Sequence, residues 1–246
     1  MWIYQSISPA QSLRAMKFIS FIGAGGKTSF IKYLAGEFSK KGDRVAITTT
    51  TKIYAEDPYI LFDKDREIQG DYTYPVMIGK AVEDGKLTAL DEKEIELLGA
   101  RFDKVLIEAD GAKRKPIKFP AHFEPVVPAL TDKVFVLCGL DSIFKRIEDV
   151  VFRWRNLCDA TGISPNELIT PDIFLSFFSR DCLLKGIDKK DFSIVLNKYD
   201  ICEDRDIVID LAKNIVRRLK INEIFISSLA FRLFYRLHYC GSTLQF

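Results

Sequence analysis

One stretch near the start of the chain decides its fold: Phe18-Ile19-Ser20-Phe21-Ile22-Gly23-Ala24-Gly25-Gly26-Lys27-Thr28-Ser29. The apolar run that opens the stretch predicts a buried strand, and the three glycines that follow predict a turn. The next apolar residues recur at helical spacing: Phe30, Ile31, Leu34, Ala35 and Phe38. The stretch therefore predicts a strand, a glycine-rich loop and a helix in direct succession.

This succession suits a nucleoside triphosphate bound with Mg²⁺. Glycines let successive backbone N–H groups converge on phosphate oxygens, and the helix N-terminus adds a favourable dipole. Lys27 would reach the β- and γ-phosphates, and the Thr28 hydroxyl would ligate Mg²⁺. The expected phosphate-binding residues are Gly23, Ala24, Gly25, Gly26, Lys27, Thr28 and Ser29.

The stretch departs from the usual P-loop pattern at its first position. That pattern begins with a glycine where this chain has Phe21. A glycine-rich turn without a ligand is the alternative interpretation. We also expect Lys27 to be an exposed loop residue that adds little to stability.

A second candidate is Val105-Leu106-Ile107-Glu108-Ala109-Asp110-Gly111, in which a predicted strand ends in carboxylates. The spacing Glu108-x-x-Gly111 resembles the Asp-x-x-Gly element of GTP-binding domains, where the acid holds magnesium and the glycine N–H meets the γ-phosphate. The sequence leaves open whether Glu108 or Asp110 orients the metal. The catalytic candidates are Lys27, Glu108 and Asp110.

A third candidate is Asn197-Lys198-Tyr199-Asp200, which follows the apolar run Ser193–Leu196. It resembles the Asn-Lys-x-Asp motif that recognises guanine, because the Asp200 carboxylate can accept hydrogen bonds from both N1–H and N2–H₂. Asn197 would brace the neighbouring loop, and Ser228 lies in a later strand end that resembles a further guanine-contacting element. GTP is therefore expected in preference to ATP.

The threonine run Thr48-Thr49-Thr50-Thr51 follows another apolar strand. Thr50 and Thr51 are candidate ligands for Mg²⁺ or the γ-phosphate. The alternative is that the run reflects only the preference of threonine for strands.

The basic run from Lys113 to Lys118 comes directly after Gly111. It is either a solvated loop or a contact for phosphate or an anionic substrate. His122 and Glu124 lie close behind and are weaker catalytic candidates.

Composition limits the classes of function. The 246 residues are 48% hydrophobic and 28% charged, as in a globular protein, and the net charge is only +2. That balance gives no global reason to expect nucleic acid or a membrane as partner. Five cysteines without a C-x-x-C pair suggest neither a zinc site nor a disulfide framework. The start of the chain lacks the pattern of a signal peptide, and no apolar run approaches the ~20 residues that cross a bilayer, so we expect a cytoplasmic protein.

Short apolar runs alternate with helical patterns along the chain. This order predicts an α/β protein with the three-layer P-loop NTPase fold and a mostly parallel central sheet. We interpret residues 1–246 as one domain with an irregular insertion around 57–85 that holds one hairpin. The predicted strands are Lys17–Ile22, Val45–Thr49, Val105–Ile107, Val134–Leu137, Ser193–Leu196 and Glu223–Ile226. Helices are predicted over Glu92–Leu98, after Ser164-Pro165, after Thr170-Pro171, and over Asp206–Leu219.

Four segments taken together resemble the YqeC-type proteins: the glycine stretch, Thr48–Lys52, Ile107–Lys113 and Asn197–Asp200. The segment Pro116–Pro125 also resembles that family. These are described as accessory factors of selenium-dependent molybdenum hydroxylases. The resemblance implies an NTP-driven role in maturation of such an enzyme, with the hydroxylase or its cofactor as partner. The broader similarity is to P-loop GTPases that mature metalloenzymes. A small-molecule kinase, an ATP-preferring NTPase and a nucleotide-binding scaffold without turnover are the alternatives.

Overall fold

The computed structural model describes residues 2–63, 74–202 and 204–239. The strands within these ranges are β1 (Trp2–Ser6), β2 (Phe18–Gly23), β3 (Val45–Thr49), β4 (Lys52–Tyr54), β5 (Tyr59–Leu61), β6 (Val76–Gly79), β7 (Val82–Glu83), β8 (Lys86–Thr88), β9 (Lys104–Glu108), β10 (Ile117–Lys118), β11 (Lys133–Gly139), β12 (Val151–Phe152), β13 (Phe192–Asn197), β14 (Glu223–Ser228) and β15 (Leu233–Tyr239). The α-helices are α1 (Lys27–Ser39), α2 (Glu92–Arg101), α3 (Ile147–Val150), α4 (Trp154–Thr161), α5 (Pro171–Ser176) and α6 (Arg205–Leu219).

Ten of the described strands form one large sheet, in the order β1-β15-β14-β13-β11-β2-β9-β3-β6-β5. From β14 to β5 all neighbours pair in parallel, whereas β15 and β1 extend one edge in antiparallel pairing. Two small sheets, β10–β12 and β4–β8–β7, lie outside it. The mostly parallel sheet that the sequence predicts is confirmed.

Helices pack on both faces of the large sheet because alternate residues of its strands point to opposite sides. Phe21 and Phe135 share one apolar cluster with Phe30 of α1. The next residues along the two strands, Ile22 and Val136, belong to a cluster on the other face with α5 and α6. A third cluster packs α2 on that second face. Burial of a large apolar side chain stabilises a fold by about 1.5–3 kcal/mol, so these clusters hold the three layers together.

The strongly periodic elements of the sequence form where they are expected. The six predicted strands correspond to β2, β3, β9, β11, β13 and β14. The predicted helix over Asp206–Leu219 is α6, which Asp204 caps by accepting from the first amides of the helix. Likewise, the Thr170 hydroxyl caps α5 by accepting from the Ile173 amide at 3.3 Å.

Two expectations differ from the structure. Residues 164–167 form a turn and not a helix, because the Ile147 and Glu148 amides donate to the Glu167 and Pro165 carbonyls. Within 57–85, β5 and β6 are strands of the large sheet, so this part is not irregular. β7 and β8 form a hairpin that turns at Asp84 and Gly85, so its second strand lies just beyond the segment in which a hairpin was predicted. Residues 64–73 of that segment lie outside the described residues, and the single-domain interpretation stays a prediction.

In the described parts of the chain, no helix combines the length and the hydropathy needed to span a membrane.

Candidate functional site

A glycine loop, Gly23–Gly26, joins β2 to α1 and packs closely on the neighbouring strand. Gly23 has φ +89° and Gly25 φ +79°, which side-chain-bearing residues rarely adopt. A Cβ on Gly23 would lie 2.3 Å from the Leu137 carbonyl oxygen, and one on Gly25 would lie 2.2 Å from the Gly139 nitrogen. Both positions therefore require glycine for steric as well as conformational reasons.

Hydrogen bonds hold the glycine loop from two sides. The Ala24 amide donates to the Leu137 carbonyl at 2.9 Å, and the Gly25 amide donates to the Lys115 carbonyl at 3.1 Å. Across the sheet, Asn197 Nδ2 donates to the Gly25 carbonyl at 2.8 Å. These bonds fix the loop before any ligand binds.

The last amide of the glycine loop and the three amides that follow it are available to an anion. Within the described residues, the backbone N–H groups of Gly26, Lys27, Thr28 and Ser29 have no acceptor. They form the N-terminus of α1, where the helix dipole favours negative charge. Hence the structure groups four donors where the sequence predicts a phosphate.

Lys27 lies against the glycine loop and is buried, with 4% of its surface exposed. Its Nζ donates to the Gly23 carbonyl at 2.7 Å and lies 3.0 Å from Asp110 Oδ1. Burial alone would lower the pKa of Lys27, but Asp110 and Glu108 outweigh burial and raise it, so the side chain is charged. The expectation of an exposed lysine was wrong, because the buried Asp110 holds the ammonium inside. The effect of Lys27 on stability stays a prediction.

Glu108 ends β9 and faces the first turn of α1. The Thr28 hydroxyl donates to Glu108 Oε2 at 2.7 Å. Burial raises the pKa of Glu108, against the opposing effects of Lys27 and the Thr28 hydrogen bond. A hydroxyl and a buried carboxylate are hard oxygen donors of the kind that Mg²⁺ takes, and a cation there would favour the ionised acid.

Asp110 is two residues away from Glu108 and has different partners. Its Oδ2 accepts from the Gly23 amide at 2.9 Å and lies 3.0 Å from Lys118 Nζ. Together with the contact to Lys27, these bonds make Asp110 the anchor of the glycine loop and of the loop lysine. The two candidate acids are therefore distinct: Glu108 contacts the threonine, and Asp110 contacts the lysine.

The neighbouring Gly111 is not sterically required. A Cβ at Gly111 would meet no atom within 4 Å, and the Gly111 carbonyl accepts from Lys118 at 2.8 Å.

The threonine run lies beside Glu108 because β3 and β9 are neighbours. Thr49 donates to the Glu108 carbonyl at 2.7 Å, and the Thr51 amide donates back to the Thr49 hydroxyl at 3.0 Å. Thr50 donates to the Val126 carbonyl at 2.7 Å. Thr49, which the sequence argument did not single out, is thus the residue that ties the two strand ends together.

Behind Asp110, a buried charge network continues through Lys118, Glu124 and Arg153. Lys118 Nζ lies 2.6 Å from Glu124 Oε2, and Arg153 pairs with both oxygens of Glu124. Burial raises the pKa of Glu124, but Arg153 and Lys118 outweigh it and hold that pKa below its ordinary value.

This network corrects the interpretation of the basic run as one solvated loop. Lys113 and Arg114 are exposed, whereas Lys118 is 1% exposed. No local sequence pattern identifies Lys118 and Arg153 as partners of Glu124, because the fold brings them together. The nearby His122 is exposed, with its ring packed on Phe123.

The segment predicted to recognise the base begins beside the glycine loop. Besides its bond to Gly25, Asn197 accepts from the Ser227 hydroxyl at 3.0 Å and from the Leu229 amide at 3.3 Å. Asn197 therefore braces the loop, as expected. Lys198 Nζ lies 2.5 Å from Asp141 Oδ2.

Two residues of the predicted base site keep unused polar groups. Asp200 lies exposed in a short 3₁₀ turn, Tyr199–Ile201, with no side-chain partner among the described residues. Ser228 is buried at the end of β14, and its hydroxyl has no hydrogen-bond partner within the same part of the chain.

Fold and site together define an α/β protein with a large, mostly parallel sheet and a polar cluster at the carboxyl ends of its central strands. The family model described as "YqeC protein" matches residues 19–155, so the chain belongs to the YqeC family. It is 32% identical over 158 residues to "Uncharacterized protein YqeC" of Escherichia coli (strain K12). That similarity covers 60% of this chain and 62% of the length of the relative. No solved structure matches the chain.

Proposed function

We propose that this protein binds a nucleoside triphosphate with Mg²⁺ at the glycine loop and hydrolyses it slowly, with GTP preferred to ATP. One arrangement carries the proposal. Lys27 lies against the loop and Thr28 contacts Glu108. The backbone amides of residues 26–29 have no acceptor among the described residues. A structural turn needs neither a buried lysine nor a threonine aimed at a carboxylate.

The residues of the chain would divide the work on the phosphates. The amides of residues 26–29 would bind phosphate oxygens, and Lys27 would exchange the Gly23 carbonyl for the β- and γ-phosphates. Asp110 would keep its bonds to the Gly23 amide and Lys118, so the loop stays anchored when Lys27 turns. Water attacks the γ-phosphorus in line, the bond to the bridging oxygen breaks, and nucleoside diphosphate and orthophosphate leave.

Thr28 and Glu108 would hold Mg²⁺, with Thr50 or Thr51 as a further oxygen donor. When bound, the ion neutralises charge on the phosphate oxygens.

The biological role that we propose is maturation of a selenium-dependent molybdenum hydroxylase in the cytoplasm, with that enzyme or its cofactor as partner. This part rests on the resemblance of the motifs, and the site itself supports only the nucleotide chemistry. We expect neither nucleic acid nor a membrane among the partners.

The decisive experiment is titration of the purified protein with GTP and with ATP, with and without Mg²⁺. Lys27→Ala removes a charge-assisted contact, so triphosphate affinity should fall about ten- to hundredfold. Because Lys27 is buried against Asp110, the variant should also lose about 1–3 kcal/mol of the free energy of unfolding, and it must be shown to be folded.

Lys32→Ala is the matched control. Lys32 lies on the same helix in an exposed ion pair with Glu56, which contributes about 0–1 kcal/mol. It should change neither affinity nor stability appreciably. Equal triphosphate affinity of Lys27→Ala and the parent protein would contradict the proposal.

A further inference from the structure

Three side chains next to the candidate site form a cluster that the proposed nucleotide chemistry does not use. The Tyr54 ring is half-exposed, Lys86 Nζ lies 4.8 Å from its centroid, and Arg114 Cζ lies 5.5 Å from it. We call these residues the Tyr54 cluster. Each cation thus lies within cation–π distance of the same ring.

Both cations of the Tyr54 cluster lack a carboxylate partner among the described residues. Glu83 lies opposite Lys86 in the β7–β8 pairing, but Lys52 takes its carboxylate at 2.6 Å. Two cations on the same ring, neither of them in an ion pair with a described residue, raise the local positive potential, and an anion would lower it.

The backbone presents Arg114 to the ring at a cost. Lys113 has φ +44° and Arg114 has φ +61°, in the left-handed region that disfavours side-chain-bearing residues. This turn both brings the Arg114 guanidinium to the Tyr54 ring and places the Lys115 carbonyl against the glycine loop.

The Tyr54 cluster is also connected to the glycine loop. The residue after Arg114, Lys115, accepts the Gly25 amide through its carbonyl at 3.1 Å. Tyr54 follows the threonine run, whose Thr49 is bonded to the Glu108 carbonyl. The cluster thus lies one residue along the chain from a direct contact with the proposed nucleotide site.

We propose that the Tyr54 cluster is a second phosphate-binding site, which takes the phosphate group of a small phosphorylated molecule held beside the nucleotide. A guanidinium fork matches phosphate oxygens in pairs, and a lysine adds a point charge. The role of that molecule as a second substrate rests on the proposed function, whereas the binding site itself does not. The other source of the same chemistry is the γ-phosphate of the nucleotide.

The test uses phenyl phosphate as probe, titrated into the full chain and followed by NMR. Arg114→Gln and Lys86→Gln should each weaken phenyl phosphate binding about tenfold, since each removes a charged donor. Arg155→Gln is the control, because Arg155 also lies exposed over a ring, that of Trp154, and should leave binding unchanged. The affinity of the protein for GTP should be the same in all three variants.

Two results would overturn the second site. One is phenyl phosphate binding that does not depend on Arg114 and Lys86. The other is displacement of the probe by a non-hydrolysable GTP analogue but not by GDP, which would assign the cations to the γ-phosphate. If the protein binds no nucleotide but phenyl phosphate binding still requires Arg114, the proposed function fails and the second site stands.

Discussion

At the scale of single residues, the structure separates two acids that the sequence could not rank. Glu108 accepts from the Thr28 hydroxyl, whereas Asp110 holds Lys27 and the Gly23 amide. The first arrangement suits a metal ligand, and the second suits an anchor for the loop. Substitutions that remove only the charge can tell these roles apart.

Glu108→Gln should lower Mg²⁺-dependent turnover about 10–100-fold, because it removes the charge that would hold the ion, and should leave the fold stable. Asp110→Asn should keep the Mg²⁺ dependence but lower the free energy of unfolding by about 1–3 kcal/mol, because Lys27 and Lys118 lose their shared partner. Turnover against Mg²⁺ concentration and urea unfolding measure the two effects. The reverse pattern would make Asp110 the metal acid.

Asp200 decides the choice of base in this interpretation. Its side chain is exposed and unpartnered in the described structure, three residues after Asn197, which is bonded to the glycine loop. ATP would leave the carboxylate without donors, so GTP should bind about tenfold or more tightly. Asp200→Asn should shift the preference toward xanthosine triphosphate, whose O2 accepts where guanine donates.

Competition titrations with the three nucleotides check this expectation. Asp210→Asn, an exposed acid on α6 that faces Lys213, is the matched control and should leave the preference unchanged. ATP binding as tight as GTP binding in the parent protein would make Asn197–Asp200 an ordinary loop, and the phosphate site would survive.

At the scale of elements, the spacing of apolar residues was sufficient to predict a strand or helix where that element is long and buried. β11 is a continuous apolar run and α6 has apolar residues at helical spacing, and the bounds of both follow the prediction closely. The sequence did not predict β5, because this strand has only three residues, two of them exposed, and turn residues surround it. The segment at Ser164-Pro165 has the local signals of a helix start, but its carbonyls are used by residues 147 and 148 instead.

The same contrast divides the candidate site. Gly25, Lys27 and Thr28 lie close together in the sequence, so the sequence alone predicted the glycine loop. Lys118 and Arg153 meet at Glu124 only because β10 pairs with β12. A buried ion pair between distant segments has no sequence pattern, and nothing local marks Lys118 as different from the exposed Lys113.

At the scale of the whole molecule, the sheet order collects the motifs at one edge. β13, β11, β2, β9 and β3 are successive neighbours and all parallel, so their carboxyl ends lie side by side. The glycine loop, the acids, the threonines and Asn197 all lie at or directly after the carboxyl ends of these strands. The buried charge network then links this edge to α4 through Arg153, the residue before Trp154.

That network should make the stability of the whole protein depend on pH through Glu124. Lys118 and Arg153 outweigh burial and hold the pKa of Glu124 below its ordinary value of 4.5. A carboxyl with a lowered folded-state pKa stabilises the protein above pH 4.5, and that contribution is lost as the pH falls through the folded-state value. The raised pKa of Glu108 acts with the opposite sign, but it is common to parent and variant and cancels in their difference.

Glu124→Gln should therefore lower the free energy of unfolding by about 3 kcal/mol at pH 7, because the partly buried Arg153 loses its carboxylate partner and the buried Lys118 keeps only one, Asp110. The difference from the parent should shrink below pH 4.5, since the parent then loses the same charge by protonation. Urea unfolding at pH 7, 5.5, 4.5 and 3.5 measures both curves. Glu56→Gln, which breaks only the exposed pair with Lys32, should cost at most about 1 kcal/mol. A Glu124→Gln difference that stays constant from pH 7 to 3.5 would mean that shape, and not charge, joins Glu124 to Lys118 and Arg153.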